Sequence, residues 1–207
     1  MKPTLPSAWA DLLFRLHSAG FPEAIIAGGA LRDLVNDKPV KAIDIFVSDH
    51  NEVTVNGNFG LILDSLEEFH HRLAKAIGDP NWSYTVSRSA PEYLESMDDQ
   101  VVEVLSFNAP GITLPVQVVV LKDASNPWEV LKRIDFGICQ IGHNGKATLA
   151  TPEYTIDKVN HSFTLCRCES KAQMARSMQR YERLSAKYPD WELVVPDHMM
   201  QFFPGQG

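Results

Sequence analysis

The chain has 207 residues, room for one ordinary domain or a domain with a helical appendage. Hydrophobic residues at 44% and charged residues at 22% have the balance of a soluble globular protein, and no apolar run approaches the roughly 18 residues of a membrane span. A formal net charge of −7 argues against broad, non-specific attraction to nucleic acid and leaves room only for a local basic groove.

Residues 5–18 read as a first helix, because Trp9, Leu12, Leu13 and Leu16 recur at helical spacing, Ser7 can cap it, and Gly20 and Pro22 stop it. This segment lacks a basic start followed by a continuous apolar core, so no signal peptide is expected and the expected location is the cytoplasm. A short apolar run at 24–27 reads as a buried strand; Gly28 and Gly29 follow; residues 30–35 have helical character; Lys38 and Pro39 lead to a second apolar run at 43–47. Residues 51–59, rich in Asn and Gly, read as a loop or mobile hairpin. Residues 61–77 read as an amphipathic helix that buries Leu61, Leu66, Phe69, Leu73 and Ile77 and leaves His70 and His71 at the surface.

Strands are expected at 83–87, 101–107 and 114–121, with a solvated acidic excursion at 90–100 and a Pro-Gly turn before the last strand. Asn126-Pro127 marks a helix start, and His143-Asn144-Gly145-Lys146 reads as a hairpin turn with His143 exposed. Residues 154–163 fit a loop and short helix. Residues 170–188 form a clear helix with Met174, Met178, Tyr181 and Leu184 on one stripe and Arg176, Arg180 and Arg183 toward another. The cysteines Cys139, Cys166 and Cys168 are odd in number and too few for a disulfide framework, which fits a reducing compartment. Cys166 and Cys168 have no second pair at zinc-site spacing.

The stretch from 24 to 49 is the one that specifies a chemistry. Two glycines at the mouth of a helix let backbone approach a ligand closely, and the free N–H groups of the first helical turn suit phosphate. Alternation along the second strand puts Ile43, Ile45 and Val47 on one face and Ala42, Asp44 and Phe46 on the other. Asp44 is therefore an acid on a strand whose opposite face is core.

This order, GGxxRD followed by a spacer and a strand aspartate, resembles the head of the DNA polymerase β-like nucleotidyltransferases, most closely the tRNA CCA-adding enzyme and bacterial poly(A) polymerase branch. Gly28, Gly29, Arg32 and Asp33 match the motif, and Asp44 matches the second of two aspartates separated by one residue. Ala42 occupies the place of the first. Residues 133–139, RIDFGIC, resemble the branch's RRDFTINA block, with Arg133, Asp135 and Phe136 matching, Ile134 in place of the second arginine and Cys139 in place of the asparagine.

The resemblance implies an α+β fold: a nucleotidyltransferase head over 1–139 with a mixed sheet packed against helices, and a small C-terminal extension over 140–207 with one main helix. It implies transfer of a nucleoside monophosphate from an NTP to a hydroxyl acceptor, an RNA or tRNA 3′ end, with Mg²⁺ held by Asp44 and its missing partner. Gly28, Gly29, Arg32, Arg133 and Asp135 would hold the nucleotide, and Arg176, Arg180 and Arg183 would contact base or RNA. A third acid is expected on a neighbouring strand, where Gln117 and Glu103 compete and Glu103 is the catalytic candidate; strand register decides between them.

One carboxylate cannot straddle two Mg²⁺ ions, so the chain as written is expected to be inactive or impaired. The intact neighbouring motif positions favour a substitution introduced at Ala42 over natural loss. Two other readings stay open: a non-catalytic nucleotide- or RNA-binding module, and an enzyme acting on a protein or small-molecule hydroxyl.

Overall fold

The computed structural model describes residues 4–49, 51–55, 58–62, 66–79, 81, 100–124 and 126–203. Helix α1, Ser7–Ser18, buries Trp9, Leu12, Leu13 and Leu16 as the spacing predicts. Its first turn follows Pro6 with no side-chain cap, so Ser7 is the first helical residue and not the cap. Strand β1 (Ile25–Ala27), helix α2 (Gly29–Val35) and strand β2 (Ile43–Ser48) then come in the expected order. A hairpin, β3 (Asn51–Val55) with β4 (Asn58–Ile62), precedes helix α3 (Leu66–Ile77). The helix therefore starts later than its periodicity implied: Leu61 and Ile62 are strand residues, paired with Glu52 and Asn51. The strand expected at 83–87 and nearly all of the acidic excursion lie outside the described residues.

Strands β5 (Val101–Phe107) and β6 (Val116–Leu121) lead to helix α4 (Pro127–Lys132), whose first turn is capped by Asn126 accepting from the backbone of Trp128 and Glu129. A single 3₁₀ turn, Gly137–Cys139, precedes β7 (Ile141–His143) and β8 (Thr148–Ala150). Helix α5 (Pro152–Asn160), strand β9 (Ser162–Thr164), helix α6 (Lys171–Lys187), strand β10 (Glu192–Val194) and a 3₁₀ segment, Asp197–Phe202, complete the chain. Ser170 caps α6, and Thr151 caps α5.

The core is a six-stranded mixed sheet in the order β5-β6-β2-β1-β7-β8, with only β2 and β6 parallel. Val and Ile dominate the central strands because they are covered on both faces for most of their length. β7 pairs with β1 and β8 with β7, so the head's sheet runs past residue 139, where the sequence reading ended the first domain. β7 thereby covers the edge of β1 opposite β2.

Two histidines are corrected. His70, expected at the surface, is buried on α3 and engages the carboxylate of Glu103, whereas His71 is exposed. His143, expected to be exposed in a turn, is the last residue of β7 and is 9% exposed, its Nδ1 accepting from the Gly145 N–H at 2.9 Å. Beyond the sheet, the C-terminal elements gather around Phe163, which meets Phe136, Tyr181, Tyr188 and Trp191 at centroid distances of 5.4–6.1 Å. Among the described residues no helix is long and apolar enough to cross a membrane.

Candidate functional site

The site follows from register. Parallel pairing sets Asp44 of β2 opposite Gln117 of β6, and antiparallel pairing sets Gln117 opposite Ser106 of β5. Residues paired across neighbouring strands project to the same face, so Asp44, Gln117 and Ser106 form one row. In β2 and in β6 the only residue that is not buried is the member of this row, and Ser106 breaks the buried run of β5 in the same way. The next rung on that face, Phe46, Val119 and Val104, is buried again. Among the described residues, β2, β6 and β5 are thus half-exposed at this polar row.

The glycine turn lies at the same end. β1 pairs Ile26 with Ile45, which brings Ala27 level with Asp44 and Gly28 one residue past it, and the Gly28 N–H donates to the Ile141 carbonyl at 2.9 Å. Gly28 has φ 74° and ψ −130°, a backbone state that a side chain resists, so glycine is required by conformation. Its surroundings are apolar: the atom nearest a Cβ placed there is Ile134 Cδ1 at 3.9 Å. Ile134, standing where the resemblance implies an arginine, is buried under the turn. Ala42 is half-buried just ahead of β2, one alternation step from Asp44, and has no ligand atom to offer.

Glu103 does not join this row. It pairs with Val120, an odd number of residues from Gln117, so it projects from the opposite face, where α3 holds it against His70. A bulge at Val102 sets its register. Expected beside Asp44, Glu103 is instead a buried carboxylate on the other face, bound to His70. Among the described residues no group of three or more His, Cys, Asp or Glu side chains could hold a metal ion.

Arg32 is likewise turned inward. It is 5% exposed; its Nε and Nη2 meet Asp33 Oδ1 at 2.8 and 2.7 Å, and its Nη1 donates to Cys139 Sγ at 3.1 Å. Burial works against the charge, but the neighbouring Cys139 sulfur and Asp33 carboxylate outweigh it and hold the guanidinium above its ordinary range. Asp33 also accepts from Tyr188 Oη at 2.8 Å and from Lys187 Nζ, both at the end of α6. Burial, and then the bond to Asp33, push the Tyr188 hydroxyl upward. The RD of the glycine motif is therefore an anchor between α2 and α6, with the Arg32 guanidinium 3.7 Å from where a Gly29 Cβ would stand.

Arg133 and Asp135 part company. Arg133 donates to the Lys122 carbonyl at 2.7 Å and the Asp123 carbonyl at 3.2 Å, pinning the turn after β6. Asp135 faces α6, accepting from Arg180 Nη1 at 2.8 Å and Ser177 Oγ at 3.1 Å. Of the three α6 arginines, Arg180 is thus tied to the RIDFGIC block, Arg176 is half-buried and Arg183 is exposed. Cys166, in the CxC, has its thiol pushed up to about 12 by burial and by the carboxylates of Asp157, Glu153 and Asp135, which disfavours the thiolate a metal would need.

Sequence reasoning missed Ser106, Lys187, Tyr188 and the Arg32–Cys139 contact. Ser106 was accessible in principle, as the one small polar residue in an otherwise apolar or acidic strand. The others depend on long-range packing.

No family model matches the chain, and no curated protein matches it in sequence. Solved structures do match it in fold. A tRNA-processing enzyme in apo form I superposes with TM-score 0.60 at 15% identity, covering 98% of this chain and 47% of that one. The Bacillus stearothermophilus CCA-adding enzyme in complex with CTP gives TM-score 0.60 at 15% identity over 96% of this chain and 43% of that one. The Thermotoga maritima CCA-adding enzyme complexed with tRNA gives 0.56 at 14%, over 97% and 42%. The chain spans less than half the length of each. At such identities the likeness speaks to fold alone: an α+β, nucleotidyltransferase-like fold similar to the head of the CCA-adding enzymes.

Proposed function

We propose that the chain is a nucleotide-binding head of nucleotidyltransferase type that, as written, holds a nucleotide and does not transfer it efficiently. The observation carrying this reading is the open row Asp44–Gln117–Ser106 beside a glycine turn whose conformation only glycine adopts readily. The turn gives a ligand close access to backbone. Asp44 and Gln117 supply an acceptor and a two-way amide for sugar hydroxyls. The buried Arg32–Asp33 pair holds the turn's helix in place, and the exposed Arg183 of α6 offers a basic group to an RNA acceptor. The neighbours crystallised with CTP and with tRNA supply the analogy for both ligands.

Mg²⁺ is the cofactor such a fold implies. The described residues do not fit a pair of ions, because Asp44 has alanine, and no second carboxylate, at the i−2 position where two at i and i+2 are needed. The test is to supply the other. The variant Ala42→Asp should label the 3′ end of RNA from an α-labelled NTP in a Mg²⁺-dependent way, by at least about a hundredfold over the parent chain. Failure of that variant with all four NTPs and with RNA, protein and small hydroxylated acceptors would overturn the transferase-type reading.

A further inference from the structure

On the face of the sheet away from Asp44, helices α1 and α3 lie against each other. Glu103 projects to that face and meets His70 of α3, and Arg15 of α1 donates to the Ile77 carbonyl at the end of α3 at 2.7 Å. Phe14, beside Arg15, is 70% exposed on a helix that buries Trp9, Leu12, Leu13 and Leu16 on its other side. A whole aromatic ring held in water on a rigid helix is the kind of anchor a partner covers.

Two hollows flank Phe14, and both are lined by Phe14 and Arg15. One, of about 450 Å³, lies between the first turns of α1 and the Pro110-Gly111 turn, with Asp11 on its wall. The other, of about 600 Å³, lies between the end of α1 and α3, where small residues, Ala19, Gly20 and Ala76, leave room and Arg72 and Lys75 join Arg15. Arg72 stacks over Phe21 at 4.9 Å, which gives its charge a fixed place, and Lys75 is exposed. Together the hollows follow α1 from Ser7 to Gly20, a track of roughly 20 Å at about 1.5 Å per residue.

Charge changes sign along the track. A nucleic-acid strand laid on it would carry phosphates past the exposed Asp11, at a Coulombic cost. A peptide can match both ends, placing acids by Arg15, Arg72 and Lys75 and a basic or neutral residue by Asp11. We propose that this track docks an amphipathic helical segment of another protein, about three turns long, whose apolar stripe straddles Phe14 and whose acidic end lies by the three bases. The proposal is independent of the nucleotide reading, because the row of Asp44 lies on the other face of the sheet.

The test is selection of a phage-displayed random library of about 12-residue peptides against the full chain. Enriched sequences should combine apolar residues at i, i+3, i+4 and i+7 with acids at one end, and their synthetic forms should bind with Kd below about 100 μM. Phe14→Ser should weaken them at least about tenfold. Lys75→Glu should weaken them too, and replacing the peptide's acids by lysine should restore binding to that variant. Both side chains are exposed, so the melting temperature should stay unchanged in each variant. No enrichment, enriched peptides without acids, or full affinity in Phe14→Ser overturns the proposal. Binding of a labelled single-stranded RNA that Phe14→Ser abolishes overturns it in favour of nucleic acid, and a concentration-dependent dimer in sedimentation that Phe14→Ser abolishes overturns it in favour of a second copy.

Discussion

At Gly28 and Gly29 two adjacent glycines do different work. Gly28 sits at φ 74°, with no atom nearer than 3.9 Å to where a Cβ would stand, so its constraint is the backbone state alone. Gly29 has ordinary φ, and a Cβ there would touch Arg32 Nη2 at 3.7 Å, an unstrained contact. Gly28→Ala should therefore cost about 1–3 kcal/mol of stability and weaken nucleotide binding, while Gly29→Ala should change stability far less. Urea unfolding of the two variants checks this; equal losses would mean that the turn is limited by space and not by conformation. Ala42, Ile134 and Cys139 show the complementary case. Each departs from the motif at one position and puts an apolar or weakly polar side chain where the motif has a polar or charged one.

The β7–turn–β8 hairpin carries a pH dependence of its own. His143 is buried at the end of β7, its Nδ1 accepts the Gly145 N–H, and burial lowers its pKa from the ordinary 6.5. Above 6.5 the ring is neutral in both folded and unfolded chains, and the full stability is present. As pH falls below 6.5 the unfolded chain takes up the proton first, so stability is lost progressively toward the lower folded value. Thermal melts at neutral pH and near pH 5 should show a smaller loss for His143→Asn, which can still accept from Gly145, than for the parent; parallel losses would place the sensitivity elsewhere.

Elements of this kind were legible from sequence wherever periodicity or turn chemistry was strong. The Asn-Gly hairpin, the capped α4 and the stripe of α6 all formed within a few residues of their expected bounds. What was not legible was which side of the sheet a polar residue takes. The bulge at Val102 and the pairing of Glu103 with Val120 decide that Glu103 faces away from Asp44, and neither leaves a local mark. The partners of Asp33 lie 154 and 155 positions away in the chain, so its role as an anchor could not be read from GGxxRD.

The whole molecule folds around the same anchors. The acids of the GGxxRD and RIDFGIC motifs both engage α6: Asp33 holds Lys187 and Tyr188, and Asp135 holds Ser177 and Arg180. Asp157 of α5, fully buried, accepts from the Ile138 N–H at 2.7 Å and from Ser162, and so fixes the 3₁₀ turn that leads into β7. A chain ended after residue 139 would lose β7 from the second edge of β1, leave Asp33 and Arg32 without the α6 end that covers them, and strip the partners from Ile138 and Asp135. Removing one partner of a buried charged group alone costs about 3–5 kcal/mol, a large part of the roughly 5–15 kcal/mol that holds a domain together. Residues 1–139 should therefore show no cooperative thermal transition by circular dichroism, while the full chain melts in a single step and loses its near- and far-ultraviolet signals together. A cooperative transition in the shortened chain would mean that the head is self-sufficient and that α6 is merely attached to it. In that case Asp33→Asn, which should otherwise destabilise the full chain strongly, would shift its melting temperature little.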